Sequence, residues 1–442
     1  MISPQRADRG LVRLCLLAVI AGLLTGVLGG AFRWCLNHLD RGRVEMLDWS
    51  AGLGVPGWLF PIAVTATGAA LGALAVRLVP TAAGSGIQHV EAVERGEASP
   101  APLRLIPAKF FGALAAIGSG LVLGREGPTV HMGSVVGAET GRRGGLDDAD
   151  VRVMQTSLSG AGLAVAFTAP IGGALFALEE VGRSVRLRLV VPTVFAVVAA
   201  VAAGRVILGD RPDFEVPALD VPSVTVLPVF VVFGLVSGVI GIAYSRMVLG
   251  TLGCVGRFSR IPPIGRAALI GAVIGALLAV DAHTAGGGDG LTQSVLDGGV
   301  VLPALVALFL VRFVAGPLSY AAGTPGGLFA PLLALGALWG AAFAEVADIV
   351  VQQPDSSASG FRGAMILAGM AALFGAVVRA PLTGMVVVME MTATTTVALP
   401  MLAATAAAVL VAHLSGSPPV YDSLRERMLA KPAGREEPPS AP

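Results

Sequence analysis

The chain has 442 residues, of which 55% are hydrophobic and only 13% are charged. An average soluble domain carries about 25% charged residues, so this chain has too few polar groups to cover a soluble surface. The formal net charge is +1, and the absence of a long basic tract argues against nucleic acid as a partner. The composition indicates an all-α polytopic membrane protein.

The potential metal ligands and thiols are scattered along the sequence. Cys15, Cys35 and Cys254 form no CxxC pair, which argues against a disulfide framework or a cysteine metal site. No two of the five histidines lie four residues apart, the spacing with which a helix holds zinc. Since no nucleophile constellation or cofactor motif is evident either, we expect a protein that is not an enzyme and needs no metal or cofactor.

Long apolar runs follow one another along the chain. The runs at 11–32, 59–79, 190–208, 224–249 and 399–414 predict helices that are mostly long enough to cross about 30 Å of hydrocarbon. The first run is too long for a signal peptide and is predicted to be retained. Basic residues precede the first run and follow the last, so the positive-inside rule predicts a multi-pass inner-membrane protein with both termini in the cytoplasm.

The two halves of the sequence share a pattern of glycine, proline and glutamate. The pattern Gly-x3-Pro-x4-Gly-x3-Gly starts at Gly124 and recurs, with the same spacing, at Gly327. In each half an Ala-Pro step then precedes a glutamate by nine residues, Glu179 in the first half and Glu390 in the second. Chance matching of frequent glycines and prolines is the alternative. We expect a first repeat at 1–208, a polar linker at 209–222, a second repeat at 223–431 and a short cytoplasmic tail at 432–442. Such repeats are commonly inverted, with the substrate site at their interface.

The segment Gly124-Arg125-Glu126-Gly127-Pro128 interrupts an apolar region. Proline suits the first turn of a helix, so one helix is predicted to end here and another to begin. The free N–H groups and the dipole at the start of that helix favour an anion. Glu126 at this place is a candidate gate and proton carrier, because its carboxylate would occupy the anion's position until it is protonated. The alternatives are a simple cap or an ion pair with Arg125.

Two further glycine-rich breaks carry candidate anion ligands. Gly84-Ser85-Gly86-Ile87 precedes a short helix, and Ser85 offers an uncharged donor that can bind an anion loosely enough to release it. The alternative is that Ser85 only caps the helix. The break at 326–331 is the repeat partner of the Glu126 break, and Phe329 stands there in place of the carboxylate. Its backbone donors would face an anion, unless the ring is merely a packed aromatic at a kink.

Two more polar residues remain near the ends of apolar segments. Glu180 follows Glu179, and in the repeat comparison Glu180 aligns with Met391, so it is the acid without a counterpart. It is therefore a candidate proton-transfer group, although neighbouring carboxylates at a helix end are often simply solvated. Tyr421 follows the last long run, and its phenol is a further neutral donor for an anion.

Taken together, these motifs and Lys109-Phe110-Phe111-Gly112 resemble the CLC chloride channel and transporter family. The order and spacing fit from about residue 11 to residue 431. The resemblance implies a fold of two inverted repeats with tilted and broken helices. It also implies a homodimer in which each subunit has its own pathway. The family's nucleotide-binding CBS domains are not expected, because few residues follow Ala430.

The resemblance also implies residue roles. Ser85 and Tyr421 match the side chains that coordinate the central anion, and the backbone near Leu328 and Phe329 completes that site. The full expected anion-binding set is Ser85, Gly86, Ile87, Gly127, Leu328, Phe329 and Tyr421. Glu126 matches the external gating glutamate, and Glu180 matches the internal glutamate found in many proton-coupled exchangers.

One position departs from the family pattern. Gln88 stands where the family usually has proline, while Ser85, which favours chloride, is kept. We therefore expect a secondary active transporter that exchanges chloride for protons across the membrane. A passive chloride channel of the same fold, or an exchanger that prefers another small anion such as fluoride or nitrate, is the alternative.

Overall fold

A computed structural model describes residues 4–54, 56–217, 219, 221–351 and 355–430. These residues form seventeen α-helices and no strand, with two isolated β-bridges. The predicted tail at 432–442 lies outside the described residues, as do two residues of the predicted linker. The helices of the first half are α1 (Pro4–Ala51), α2 (Leu59–Leu78), α3 (Ile87–Glu94), α4 (Leu105–Gly118), α5 (Glu126–Arg143), α6 (Asp148–Phe167), α7 (Pro170–Phe176) and α8 (Leu187–Leu208).

The second half repeats this order. Its helices are α9 (Leu227–Arg257), α10 (Pro263–Val280), α11 (Asp289–Leu296), α12 (Leu302–Ala321), α13 (Phe329–Val351), α14 (Asp355–Val378), α15 (Pro381–Thr392) and α16 (Ala398–Leu414), and α17 (Val420–Leu429) follows. Eight helices among the described residues are long and apolar enough to cross a membrane. The chain is therefore a multi-pass membrane protein, as its composition predicts.

Three predicted helix boundaries differ from the structure. The first predicted helix, 11–32, is part of α1, which continues to Ala51 because no proline or backbone break interrupts it. The run 224–249 begins with a short 3-10 turn and continues as α9 to Arg257. The apolar stretch before Gly124 is not helical to its end, since α4 stops at Gly118 and Gly120 adopts a φ of 124°.

Corresponding helices of the two halves begin in the same way. The short helices α3 and α11 have eight residues each, and each follows a glycine of positive φ, Gly86 (92°) and Gly288 (103°). Only glycine adopts this conformation without steric cost. Helices α7 and α15 both begin at a proline. These matched starts agree with two related units, while the exact limits predicted for each repeat stay a prediction.

Small residues set the close packing within each half. A Cβ placed on Gly26 of α1 would lie 2.2 Å from the carbonyl oxygen of Ala200 on α8. In the second half, a Cβ on Gly234 of α9 would lie 2.2 Å from the carbonyl oxygen of Ala404 on α16. Such contacts are typical of membrane helices, which associate through close backbone approach rather than through hydrophobic exclusion from water.

A reciprocal pair of helix caps joins the two halves. Glu179, after α7, accepts hydrogen bonds from the backbone N–H groups of Leu382 (3.1 Å) and Thr383 (2.7 Å) at the start of α15. Glu390, near the end of α15, accepts hydrogen bonds from Ile171 (3.0 Å) and Gly172 (2.7 Å) at the start of α7. Each helix thus satisfies the free donors of the other, which the hydrocarbon core cannot do.

We expect Glu390→Ala to destabilise the protein by about 1–3 kcal/mol, since two N–H groups of α7 lose a charged acceptor. Glu390→Gln, which keeps one acceptor oxygen, should cost less. The measurement is the unfolding temperature of the purified protein in detergent. Glu426→Ala, at an exposed position of α17, is the matched control. Equal unfolding temperatures for Glu390→Ala and this control would contradict the capping role.

Candidate functional site

Backbone contacts bring the three glycine-rich breaks together. Gly124 and Gly327 exchange two N–H to O hydrogen bonds of 2.8 Å each, and these residues hold equivalent places in the two repeats. The Gly84 N–H donates to the carbonyl of Thr324 (3.2 Å), and the Gly84 carbonyl accepts from Gly326 (3.1 Å). The starts of α3, α5 and α13 are thereby fixed beside one another.

Lys109 holds the break that contains Ser85. Its side chain is fully buried on α4, and its ammonium group donates to the carbonyls of Ala82 (3.0 Å) and Gly84 (2.7 Å). Irregular backbone at membrane depth needs hydrogen-bond partners from the protein or from water, and Lys109 supplies them to these two carbonyls.

Glu126 lies fully buried at the first position of α5 and reaches across to α13. Its Oε1 accepts a hydrogen bond of 2.7 Å from the backbone N–H of Phe329, the first residue of α13. Its Oε2 has no hydrogen-bond partner among the described residues. The carboxyl group therefore occupies the anion-attracting end of the opposite helix, and α5 itself has no side-chain cap hydrogen bond.

Ser85 and Tyr421 lie at the same place. A Cβ on Gly127 would lie 2.6 Å from Ser85 Oγ, so α5 begins directly against the serine. The Ser85 and Tyr421 hydroxyl groups are fully buried and close enough to interact, yet neither makes a hydrogen bond to any described residue. Buried hydroxyl groups rarely go without partners, so two donors are free for a ligand here. Helix α3 is capped by Gly86, without a side-chain bond, so Ser85 is not its cap.

Aromatic rings surround the start of α13. The Phe329 ring lies 5.5 Å from the Tyr421 ring, 4.6 Å from Phe374 and 6.0 Å from Phe176, measured between centroids. Leu328, which precedes it, is also buried. Phe329 is thus a packed aromatic and at the same time the residue whose backbone N–H binds Glu126.

Arg125 does not pair with Glu126. Its guanidinium group donates to the Ala166 carbonyl (2.8 Å) and pairs with Asp213 (3.0 Å) and Asp289 (2.5 Å). Asp213 belongs to the predicted linker and also pairs with Arg33. Asp213 of the linker therefore lies beside the start of α5, and no ion pair of Glu126 occurs among the described residues.

Glu180 is buried rather than solvated. It lies within a π-helical turn, Ala177–Val181, that continues α7, and it is 1% exposed. Such turns are frequent at functional sites. Glu91 of α3 is fully buried beside it, and the two side chains are close enough to interact. Glu180 Oε1 and both carboxyl oxygens of Glu91 lack hydrogen-bond partners among the described residues. Two adjacent carboxyl groups can hold a proton between them.

Charged residues cover the Glu180 end. Asp422 of α17 pairs with Arg95 (3.0 Å), Arg183 (2.9 Å) and Arg425 (3.3 Å). Arg183 also donates to the carbonyl of Glu180 (3.2 Å). Tyr421, next to Asp422, packs with its ring 5.5 Å from that of Phe329, whose N–H binds Glu126, so α17 links the charged cluster to the start of α13.

Sequence patterns did not indicate Glu91 or Tyr320. Glu91 lies four residues from the break at Ile87, and a carboxylate inside a short buried helix was the available signal. Tyr320 of α12 accepts a hydrogen bond from the Ser85 N–H (3.4 Å) across 235 residues of sequence. In the part of the chain that the structure describes, no group of three potential metal ligands occurs.

The comparisons with known proteins agree with this architecture. The family model described as "Voltage gated chloride channel" matches residues 67–413. The chain is 34% identical to the H(+)/Cl(-) exchange transporter ClcA of Vibrio parahaemolyticus, over 96% of this chain and 91% of that transporter. It is also 34% identical to ClcA of Salmonella arizonae, over 96% and 90% of the two chains.

Among solved structures, a slow cyanobacterial Cl-/H+ antiporter is similar throughout. It superposes with a TM-score of 0.89 at 29% sequence identity, covering 95% of this chain and 99% of the antiporter. The whole helical framework described above is therefore shared with a known transporter.

Proposed function

This chain belongs to the voltage gated chloride channel family, and we propose that it is a secondary active transporter that exchanges chloride for protons. One observation carries the proposal: the carboxyl group of Glu126 is bonded to the Phe329 N–H, beside two free buried hydroxyl groups. The relatives described above are named as proton/chloride exchangers. No cofactor enters the mechanism, and chloride is its substrate.

In this proposal Glu126 and chloride compete for the same donors. The ionised carboxylate takes the Phe329 N–H, which chloride would otherwise receive. A proton from the external side neutralises Glu126, weakens its attraction to the helix end and lets the side chain leave. Chloride then binds among Phe329 N, Ser85 Oγ and Tyr421 Oη. Deprotonation brings the carboxylate back and displaces the chloride.

On the opposite, inner side of the membrane, protons pass to and from Glu126 through Glu180. Glu180 and Glu91 are buried together, and three of their four carboxyl oxygens lack hydrogen-bond partners among the described residues. Charged side chains around Asp422 connect this pair to the surface. Intramembrane carboxylates are functional by default. A passive channel needs no such pair, so the burial of Glu180 favours exchange over the channel alternative.

The donor set suits a monovalent anion such as chloride. Ser85 and Tyr421 present hydroxyl groups, and Phe329 presents a backbone N–H, so every proposed ligand is neutral. Neutral donors bind a monovalent anion weakly enough to release it. Gly127 matters because any side chain there would meet Ser85. Ile87 and Leu328 complete the proposed set as the residues at the starts of the helices that face the ion. The N–H of Gly86, which was also expected to bind the anion, donates to Gln88 instead.

The assembly and orientation complete the proposal. Glu126, Ser85, Phe329 and Tyr421 lie together within one chain, which supports a separate pathway in each subunit of the proposed homodimer. We place the protein in the inner membrane with Glu126 toward the outside and both termini in the cytoplasm. The basic residues Arg183 and Arg425 at the Glu180 end agree with that orientation.

We expect Glu126→Gln to retain chloride flux and lose proton coupling, because the amide cannot alternate between charged and neutral forms. The measurement is proton movement in proteoliposomes that have a chloride gradient and no pH gradient. The native protein should drive protons uphill, in a direction that reverses with the chloride gradient. Glu139→Gln, a solvent-facing acid on the same helix paired with Arg142, is the control and should behave as native. Uphill proton movement by Glu126→Gln would refute the mechanism, and native chloride flux without protons would make the protein a channel.

We expect Glu180→Gln to retain chloride flux and to abolish uphill proton movement, since it removes a titratable group from the inner route. Glu97→Gln is the control, because Glu97 is a partly exposed acid that pairs with Arg425 at the same end of the protein. The same proteoliposome assay checks both variants. Undiminished proton coupling in Glu180→Gln would show that protons bypass this residue.

A further inference from the structure

The side chain of Gln88 binds the backbone N–H of Gly86, the residue that follows Ser85. Its Oε1 accepts a hydrogen bond of 3.2 Å from the Gly86 N–H at the start of α3. The side chain is 9% exposed and belongs to the first turn of that helix. The positive end of a helix attracts anions, so the amide oxygen occupies this end with its own partial negative charge.

Tyr320 Oη and the amide of Gln88 both lie against Gly84. A Cβ on Gly84 would lie 2.9 Å from Tyr320 Oη and 3.5 Å from Gln88 Nε2. Since the Gly86 N–H needs an acceptor, the oxygen of the amide faces Gly86 and its nitrogen faces Tyr320. Tyr320 also accepts from the Ser85 N–H (3.4 Å).

Two backbone donors of the Ser85 break are thus occupied by side chains. The neighbouring Ser85 and Tyr421 hydroxyl groups and Glu126 Oε2 are buried and unpartnered among the described residues. The protein itself therefore uses the Ser85 and Gly86 N–H groups, and the Ser85 and Tyr421 hydroxyl groups stay available to a ligand.

We propose that Gln88 and Tyr320 form an affinity-setting pair that weakens anion binding by occupying the Ser85 and Gly86 N–H groups. This inference rests on the proposed function, since it assumes that the ion at this site is chloride. Weaker binding helps an ion to leave the site. The pair acts through the backbone of the break, so Gln88 and Tyr320 are positioning residues rather than ligands.

The test is chloride binding to the purified protein in detergent, measured by calorimetry. Gln88→Met keeps the length of the side chain and removes the acceptor, and it should tighten chloride binding by about three- to tenfold. Tyr320→Phe should also tighten chloride binding. Because the two side chains act as a pair, the double variant should tighten chloride binding by less than the product of the two single-variant factors. Gln88→Glu, which retains an acceptor for Gly86, should bind chloride no more tightly than the native protein.

Tyr244→Phe is the matched control, because Tyr244 is a fully buried tyrosine whose hydroxyl has no hydrogen-bond partner among the described residues. It should leave the chloride affinity unchanged. Unchanged or weaker affinity in Gln88→Met, or in Tyr320→Phe if Gln88→Met does not fold, would overturn the inference while native exchange stands. Absence of chloride binding and flux in the native protein would overturn the proposed function and this inference with it.

Discussion

The hydrogen bond from the Phe329 N–H to Glu126 reflects the need of every buried helix start to find a hydrogen-bond acceptor for its free N–H groups. Hydrocarbon offers no partner to a backbone N–H group, so a helix that starts inside the membrane needs one from the protein or from a ligand. At α7 and α15 the partner is a permanent glutamate from the other half of the chain. At α13 it is Glu126, a side chain that forms no ion pair within the part of the chain that the structure describes. The first arrangement stabilises the fold, and the second leaves a donor that an ion can take over.

The two arrangements also distinguish acids that look alike in the sequence. Glu179 and Glu390 each accept two backbone hydrogen bonds and lie between two helices. Glu126 and Glu180 each have a buried oxygen that lacks a hydrogen-bond partner in the described ranges of the chain. A buried carboxylate that lacks partners is costly, and its protonation relieves that cost. Proton transfer is the chemistry that such a position makes available.

Much of the site could be predicted from the sequence because it lies at breaks. Glycine and proline at 84–87, 124–128 and 326–331 mark helix starts within otherwise continuous apolar sequence. The family resemblance adds Tyr421 to them. The partners that complete the site carry no such mark. Tyr320 lies inside an apolar helix, Asp213 lies in an irregular linker, and Glu91 is a single carboxylate on a short helix. Their roles depend on tertiary contacts between distant segments, which the local pattern does not contain.

The exchange of the Glu126 carboxylate for an anion is the central claim, and anomalous diffraction from crystals soaked in bromide tests it most directly. The native protein and Glu126→Ala would be compared under the same conditions. The account predicts a bromide peak beside the Phe329 N–H in Glu126→Ala that is absent or weaker in the native protein, where the carboxylate occupies this place. Equal peaks in the two proteins, or no peak near Phe329, Ser85 and Tyr421 in either, would contradict it.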